Sequence, residues 1–226
     1  TLGDGIVELK KADYEGLLSL FDSVSLKGRL IKFVPASGAA SRMFQKLQSV
    51  LNRYSTFSLD NLKNNSENDV DCKVVLEFLV NLQKFAFYDD LKTVLKVDDS
   101  GIMKLINESP TEILKAVLFE EGLNYSSKPK GAIKFHKYKN ECRTAFEEQI
   151  YEALNYLVDF NNKVRIHFTI SEEHKDLFVE IADRIKLDME NDYNLNLTYS
   201  YQKKSTDTIA VDENNNILFD NSGDLI

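Results

Sequence analysis

Apolar positions recur along this chain in two periods, and the switches between them mark its segments. Leu17, Leu18 and Phe21 fall at helical spacing within residues 13–24 and predict a short amphipathic helix. Ile31-Lys32-Phe33-Val34 then reads as a strand buried on both faces of a parallel sheet, closed by Pro35, which cannot donate to a ladder. Met43, Leu47, Val50 and Leu51 return to one helical face. The Asn-rich, acidic stretch 61–71 predicts a disordered loop. Val74, Val75, Phe78, Leu79, Leu82 and Phe85 predict a long core-facing helix within 70–97, broken near Tyr88-Asp89-Asp90. A further helix follows over 111–119, with Ser109 as N-cap and Pro110 in its first turn.

The period changes again beyond residue 125. Ala132 to Phe135 is a short extended segment. Residues 143–159 carry Phe146, Ile150, Ala153, Leu154 and Leu157 on one helical face, and 163–171 alternates like a strand. Ser171 is placed to cap a helix over 172–190, buried through Leu177, Phe178, Ile181 and Ile185. His174 stands where a full capping box would have a carboxylate or amide. Residues 195–202 read as a strand, and 208–211 with 217–219 as a hairpin across 212–216. This order predicts an α/β fold with a mixed, mostly parallel central sheet and helices on both faces. Residues 1–45 and 126–226 form its core, and 46–125 form a helical insertion.

Composition narrows the classes. With 226 residues and 43% apolar content, the chain can bury one substantial core. A net charge of −8 argues against a nucleic-acid or anionic-membrane surface but leaves room for a local basic pocket. Cys72 and Cys142 have no metal-ligand spacing and suit a reducing, cytoplasmic compartment. No apolar run is long enough to span a bilayer, and no signal peptide is legible. The chain opens at Thr1 without Met and stops at Ile226 just past the hairpin, so it reads as a fragment truncated at its C-terminus. Oligomeric state has no sequence signal.

Candidate chemistry begins at the turn Val34-Pro35-Ala36-Ser37-Gly38-Ala39-Ala40-Ser41-Arg42. A strand that ends in small residues lets an anion approach backbone N–H groups, and Arg42 adds a fork of charged donors. The motif is not a Walker loop, a dinucleotide fingerprint or a nucleophile elbow. A tight turn packed with small residues is the plain alternative.

Pro129-Lys130-Gly131, placed beside that turn, completes a familiar order. VPASGAASRMF, EEGLNY, PKGAIKFHKY, RTAFEEQ, HFTISEEH and STDTIAVD resemble motifs of the uncharacterised bacterial family of domain of unknown function 4301, over nearly the whole chain. More distantly, Gly38-Ala39-Ala40-Ser41-Arg42-Met43 and Pro129-Lys130-Gly131 are similar to the nucleotidyltransferases of the GT-A type, in their UDP-sugar pyrophosphorylase branch. That resemblance implies a nucleotidyltransferase-like, Rossmann-like core and transfer of a nucleotidyl group between a nucleoside triphosphate and a sugar phosphate. It implies catalytic roles for Arg42 on the leaving pyrophosphate and Lys130 on the α-phosphate. Ser37, Gly38, Ala39, Ala40, Ser41 and Gln202 would bind the nucleotide, with Mg²⁺ as companion ion and no metal-ligand set named. The partners implied are a nucleotide and a phosphorylated small molecule.

Two other readings stay open. Ala40 replaces the second glycine of the pattern, and a Cβ there crowds phosphates, which points to a non-catalytic nucleotide- or phosphosugar-binding module. A serine hydrolase using Ser37 is disfavoured, because no histidine has a companion acid. Plainer readings apply elsewhere. Asp212 opens an Asn-rich turn, and Asp207 is a bare candidate for metal. His136, His167 and His174 read as structural or surface residues. Lys128, Lys130, Lys134, Lys137 and Lys139 form a basic strip, part of it simply solvated.

Overall fold

The computed structural model describes residues 2–203, 209 and 211–218. Among them are nine α-helices, a three-stranded parallel sheet and a separate two-stranded antiparallel ribbon. The sheet has the order β1-β4-β5, formed by β1 (Lys32–Pro35), β4 (Lys163–Ile170) and β5 (Asn194–Tyr201). Its register pairs Phe33 with His167 and Phe168 with Tyr199. The ribbon joins β2 (Lys134–Lys137) to β3 (Cys142–Thr144).

The alternation along β4 determines which face is covered. Val164, Ile166, Phe168 and Ile170 are buried beneath α8 (Ala145–Leu154) and α9 (Lys175–Met189). The start of α8 is held by a reciprocal cap. The Thr144 hydroxyl accepts the Glu147 N–H at 3.1 Å, and the Glu147 carboxylate accepts the Thr144 N–H at 2.6 Å. Its other oxygen accepts from Arg184 of α9 at 2.9 Å, so one buried side chain ties both helices together.

The second face of the sheet differs from expectation. Phe33 there is 63% exposed and stacks on His167, whose ring nitrogens lie 2.9 Å from the Thr198 and Ser200 hydroxyls. No described helix packs on this polar face, so the expectation of helices on both faces is corrected. β1 is likewise not buried on both faces, since Phe33 is exposed, and among the described residues only β4 pairs with it. The helix before it, α1 (Tyr14–Leu26), leaves Leu17, Leu18 and Phe21 exposed instead of packing them into the core.

The helical half is built around its own cluster, which runs from Ala40 to Ile133. Its elements are α2 (Ser41–Arg53), α3 (Leu59–Asn65), α4 (Val70–Val80), α5 (Tyr88–Leu95), α6 (Asp99–Glu108) and α7 (Pro110–Leu118). Much of the stretch read as a loop at 61–71 is helical. Ser58 and Asn61 cap α3 reciprocally, Leu62 is buried, and Asp69 accepts the Asp71 and Cys72 N–H groups to start α4. The single helix expected over 70–97 breaks earlier, with a 3-10 turn at Leu82–Lys84 before α5. Pro110 opens α7, but the Ser109 side chain makes no cap.

The segment after α7 turns back along it. Leu123, Tyr125 and Ser126 donate to the Ala116, Val117 and Leu118 carbonyls at 2.6, 3.0 and 3.2 Å. Gly122 is required there, since a Cβ on it would sit 1.9 Å from the Ala116 oxygen. The expected helix over 143–159 is shorter than its pattern suggests, because Cys142–Thr144 pair with β2. Val211 and Ile217 bridge in antiparallel fashion around the Asp212 turn, where the Asp212 carboxylate accepts the Asn214 and Asn216 N–H groups. Thr208, Ala210, Phe219 and Asp207 lie outside the described residues. Both cysteines are free thiols.

Candidate functional site

The C-terminal ends of β1, β4 and β5 lie along one edge, where open α/β sheets bind ligands. Ala36 still donates to the Thr169 carbonyl at 2.7 Å, and beyond it the chain leaves the sheet. The Ser37, Gly38 and Ala39 N–H groups then donate to nothing among the described residues. A Cβ at Gly38 would meet open space, so here the glycine serves access rather than packing. Ala40 is fully buried in the helical core, and Ser41 opens α2 without a side-chain cap at Ala40. The Cβ of Ala40 is therefore turned into the core and does not crowd the open side of the turn. Arg42 stands exposed in the first turn of α2, with no ion pair or hydrogen bond to a described residue.

Pro129-Lys130-Gly131 runs antiparallel beside this turn. Ala39 bridges Pro129, and the Lys130 N–H donates to the Gly38 carbonyl at 2.9 Å. The segment lies this close because Gly131 lacks a side chain: a Cβ there would approach the Phe178 ring at 3.0 Å. The Lys130 side chain is exposed and likewise unpaired among the described residues. Gln202 arrives from the far strand. Its N–H donates to the Ile170 carbonyl at 3.1 Å, and its Oε1 accepts the Ser37 hydroxyl across the end of β4. The structure thus gathers Ser37, Gly38, Ala39, Lys130 and Gln202 at one edge, with Arg42 at the helix start beside them. Ser37 gives its proton to an amide oxygen and has no histidine partner, which leaves the hydrolase reading without a base.

Lys128, another lysine of the basic strip, comes just before the segment that pairs with the turn. It is half-buried, with its ammonium 5.7 Å from the Tyr125 ring, and that ring packs on Phe44 in the first turn of α2. Burial lowers its pKa from the ordinary lysine value, against the opposing pull of Asp90 and Glu180. Two other lysines of the strip are engaged. Lys134 pairs with Asp90 at 2.7 Å, and Lys137 donates to the Gln83 carbonyl at 3.0 Å.

A second feature follows β4. His174 Nε2 lies 2.9 Å from the Ser127 carbonyl, which can only accept, so the proton sits on Nε2. Nδ1 lies 2.7 Å from the Ser171 hydroxyl and 3.4 Å from a Glu173 carboxylate oxygen. The Ser171 hydroxyl thus pairs with the ring and makes no helix-cap bond. The Ser-x-x-His spacing was the sequence signal for this pair.

Among the described residues no three His, Cys, Asp or Glu side chains come together to hold a metal ion. That absence does not bear on the Mg²⁺ implied by the resemblance, which would be held mainly by phosphate oxygens with few protein ligands. A cavity of about 340 Å³, lined by Gly38 and Lys130, opens beside the turn. No helix of the described residues is long and apolar enough to cross a membrane.

Edge, turn and unpaired cations together define an α/β domain with an anion-accepting geometry. A family model described as "Domain of unknown function (DUF4301)" matches residues 1–226, and the chain belongs to that family. No curated protein matches it, and no solved structure matches it.

Proposed function

We propose that this sheet edge binds the phosphate of a phosphorylated small molecule, and that it serves nucleotidyl transfer between a nucleoside triphosphate and a sugar phosphate. One observation carries the reading: among the described residues, the N–H groups of Ser37, Gly38 and Ala39 lack acceptors beside two unpaired cations, Arg42 and Lys130. Open N–H groups at the end of a strand, with a helix N-terminus next to them, favour an anion by both hydrogen bonding and dipole. In a chain of net charge −8, cations left without carboxylates are placed for a ligand.

The roles follow from position. The turn holds phosphate oxygens through its backbone, Lys130 reaches them from the adjacent segment, and Arg42 steadies charge at the start of α2. Displacement at phosphorus needs alignment and charge stabilisation rather than a covalent nucleophile. Calorimetric titration with UTP and the other nucleoside triphosphates tests the reading on the wild type, Arg42→Ala and Lys130→Ala. Saturable binding, weakened about tenfold or more by each substitution, supports it. Binding that both variants retain overturns it. Binding without turnover on any sugar phosphate identifies a non-catalytic nucleotide- or phosphosugar-binding module instead.

A further inference from the structure

The cavity beside the turn has walls from four separate parts of the chain. Val34 and Gly38 come from β1 and its turn, and Lys130 and Phe135 from the segment paired to it. Phe146 and Gln149 come from α8, and Phe168 from β4. The short stretches singled out in the sequence around residues 34–44, 130–138, 143–149 and 167–174 therefore meet at one place. The phosphate-site argument above uses only the first two.

The chemistry of these walls is lopsided. Phe146 and Phe168 lie beneath the cavity, buried with ring centroids 4.2 Å apart, while Phe135 is the half-exposed aromatic wall open to a ligand. Lys130 contributes charge at the end shared with the turn. Among the side chains on the wall, Gln149 supplies the other polar group. Its carboxamide bonds no described residue, while its backbone carbonyl accepts from Lys32 at 3.0 Å. A sugar entering this space would bury hydroxyls against phenyl rings and aliphatic carbons, with too few partners to replace water. A flat ring would bury its faces there and present one edge to a single amide, which is the usual composition of a small-molecule site. About 340 Å³ is near the lower end of such sites and suits one ring system rather than an extended chain.

We infer that this cavity takes an aromatic or heteroaromatic ring carried by the phosphorylated ligand, with Lys130 shared between ring pocket and phosphate and Gln149 reading the ring edge. The inference rests on the phosphate reading only for the anchor at Lys130. The moiety beside the phosphate site is then a planar ring, and any sugar of the ligand lies outside the cavity.

The test compares inorganic phosphate, glucose 1-phosphate, phenyl phosphate, UMP and phenol by calorimetry on the whole chain. Phenyl phosphate is expected to bind about tenfold tighter than glucose 1-phosphate or inorganic phosphate, from burial of the ring. Ala145→Leu, at a half-exposed position on the cavity wall, fills the space. It is expected to abolish that preference and leave inorganic phosphate binding unchanged. Should it misfold by circular dichroism, Phe135→Ala at its half-exposed site reduces the preference in its place. Gln149→Ala is expected to weaken UMP several-fold and spare phenyl phosphate. Glucose 1-phosphate binding as tightly as phenyl phosphate overturns the inference. A ring preference that Ala145→Leu leaves intact overturns it too. Phenol binding that Ala145→Leu removes, without any phosphate binding, keeps the ring pocket and overturns the phosphate reading. Silence toward every probe overturns both.

Discussion

The Ser37 hydroxyl donates to Oε1 of Gln202, although the two residues end strands that do not touch. β4 lies between β1 and β5, so this bond spans the end of the central strand and holds both margins of the sheet edge in one arrangement. Ser37→Ala and Gln202→Ala should therefore behave as one unit. Each is expected to cost about 1 kcal/mol of stability, and the double variant hardly more than either single one. Urea unfolding of the four proteins measures this, and simple additivity would show that the bond contributes nothing.

Arg42→Ala and Lys130→Ala should leave stability within about 0.5 kcal/mol of wild type, because both side chains are exposed and unpaired among the described residues. Their cost is expected in ligand affinity alone. Thermal melts run beside the titrations separate the two effects.

Lys128 should show the opposite trade. Its ammonium is held half-buried over Tyr125, and burial lowers its pKa. A lowered lysine pKa means that the charged form is less favoured in the folded state than in the unfolded one. The unfolded chain then binds more protons, and stability rises with pH as the lysine range is approached. Lys128→Met is expected to raise the melting temperature and to flatten that rise. A variant that melts lower than wild type would sink this reading of Lys128.

Asp159 governs the acid side. Burial pushes its carboxyl up, but the Asn161 and Lys163 N–H groups, at 2.8 and 3.0 Å, and Arg165 at 2.9 Å together hold it below the usual carboxylate value. Its contribution is thus full above the ordinary carboxylate range and fades as pH falls through that range toward the lowered value. Asp159→Asn should be less stable at pH 7 and lose less on acidification. Denaturation midpoints between about pH 2 and 6 check both signs.

Gly122→Ala should be among the most damaging small substitutions, at about 3 kcal/mol or more, because its Cβ would lie 1.9 Å from a backbone oxygen that cannot retreat. Gly38→Ala, in open space, should melt like wild type and report only on ligand access. Differential scanning calorimetry of the pair gives the contrast directly.

The amino-acid sequence by itself determined the elements whose cause is local. The alternation of 163–170 makes β4, the spacing of Phe146, Ile150 and Ala153 makes α8, and the Asp212 turn follows from its own Asn-rich neighbours. It also marked the small-residue turn, because a strand ending in small residues has a chemistry readable without its neighbours, whereas Lys130 and Gln202 were marked only by the resemblance to nucleotidyltransferases. It misread 61–71, where polar composition outweighed the Ser58–Asn61 and Asp69 caps that make helices there. Tertiary structure alone decided the strand order, which sheet face is covered, and which lysines keep their charge free. Lys134 and Lys130 look alike along the chain, yet one meets Asp90 and the other none of the described carboxylates. The ring-lined cavity was equally hidden, since Val34, Lys130, Gln149 and Phe168 share no local pattern. Periodicity reports what a residue does along its own element. Pairing and enclosure depend on residues distant along the chain, from 44 positions for Lys134 and Asp90 to 165 for Ser37 and Gln202, whose approach only the packed chain fixes.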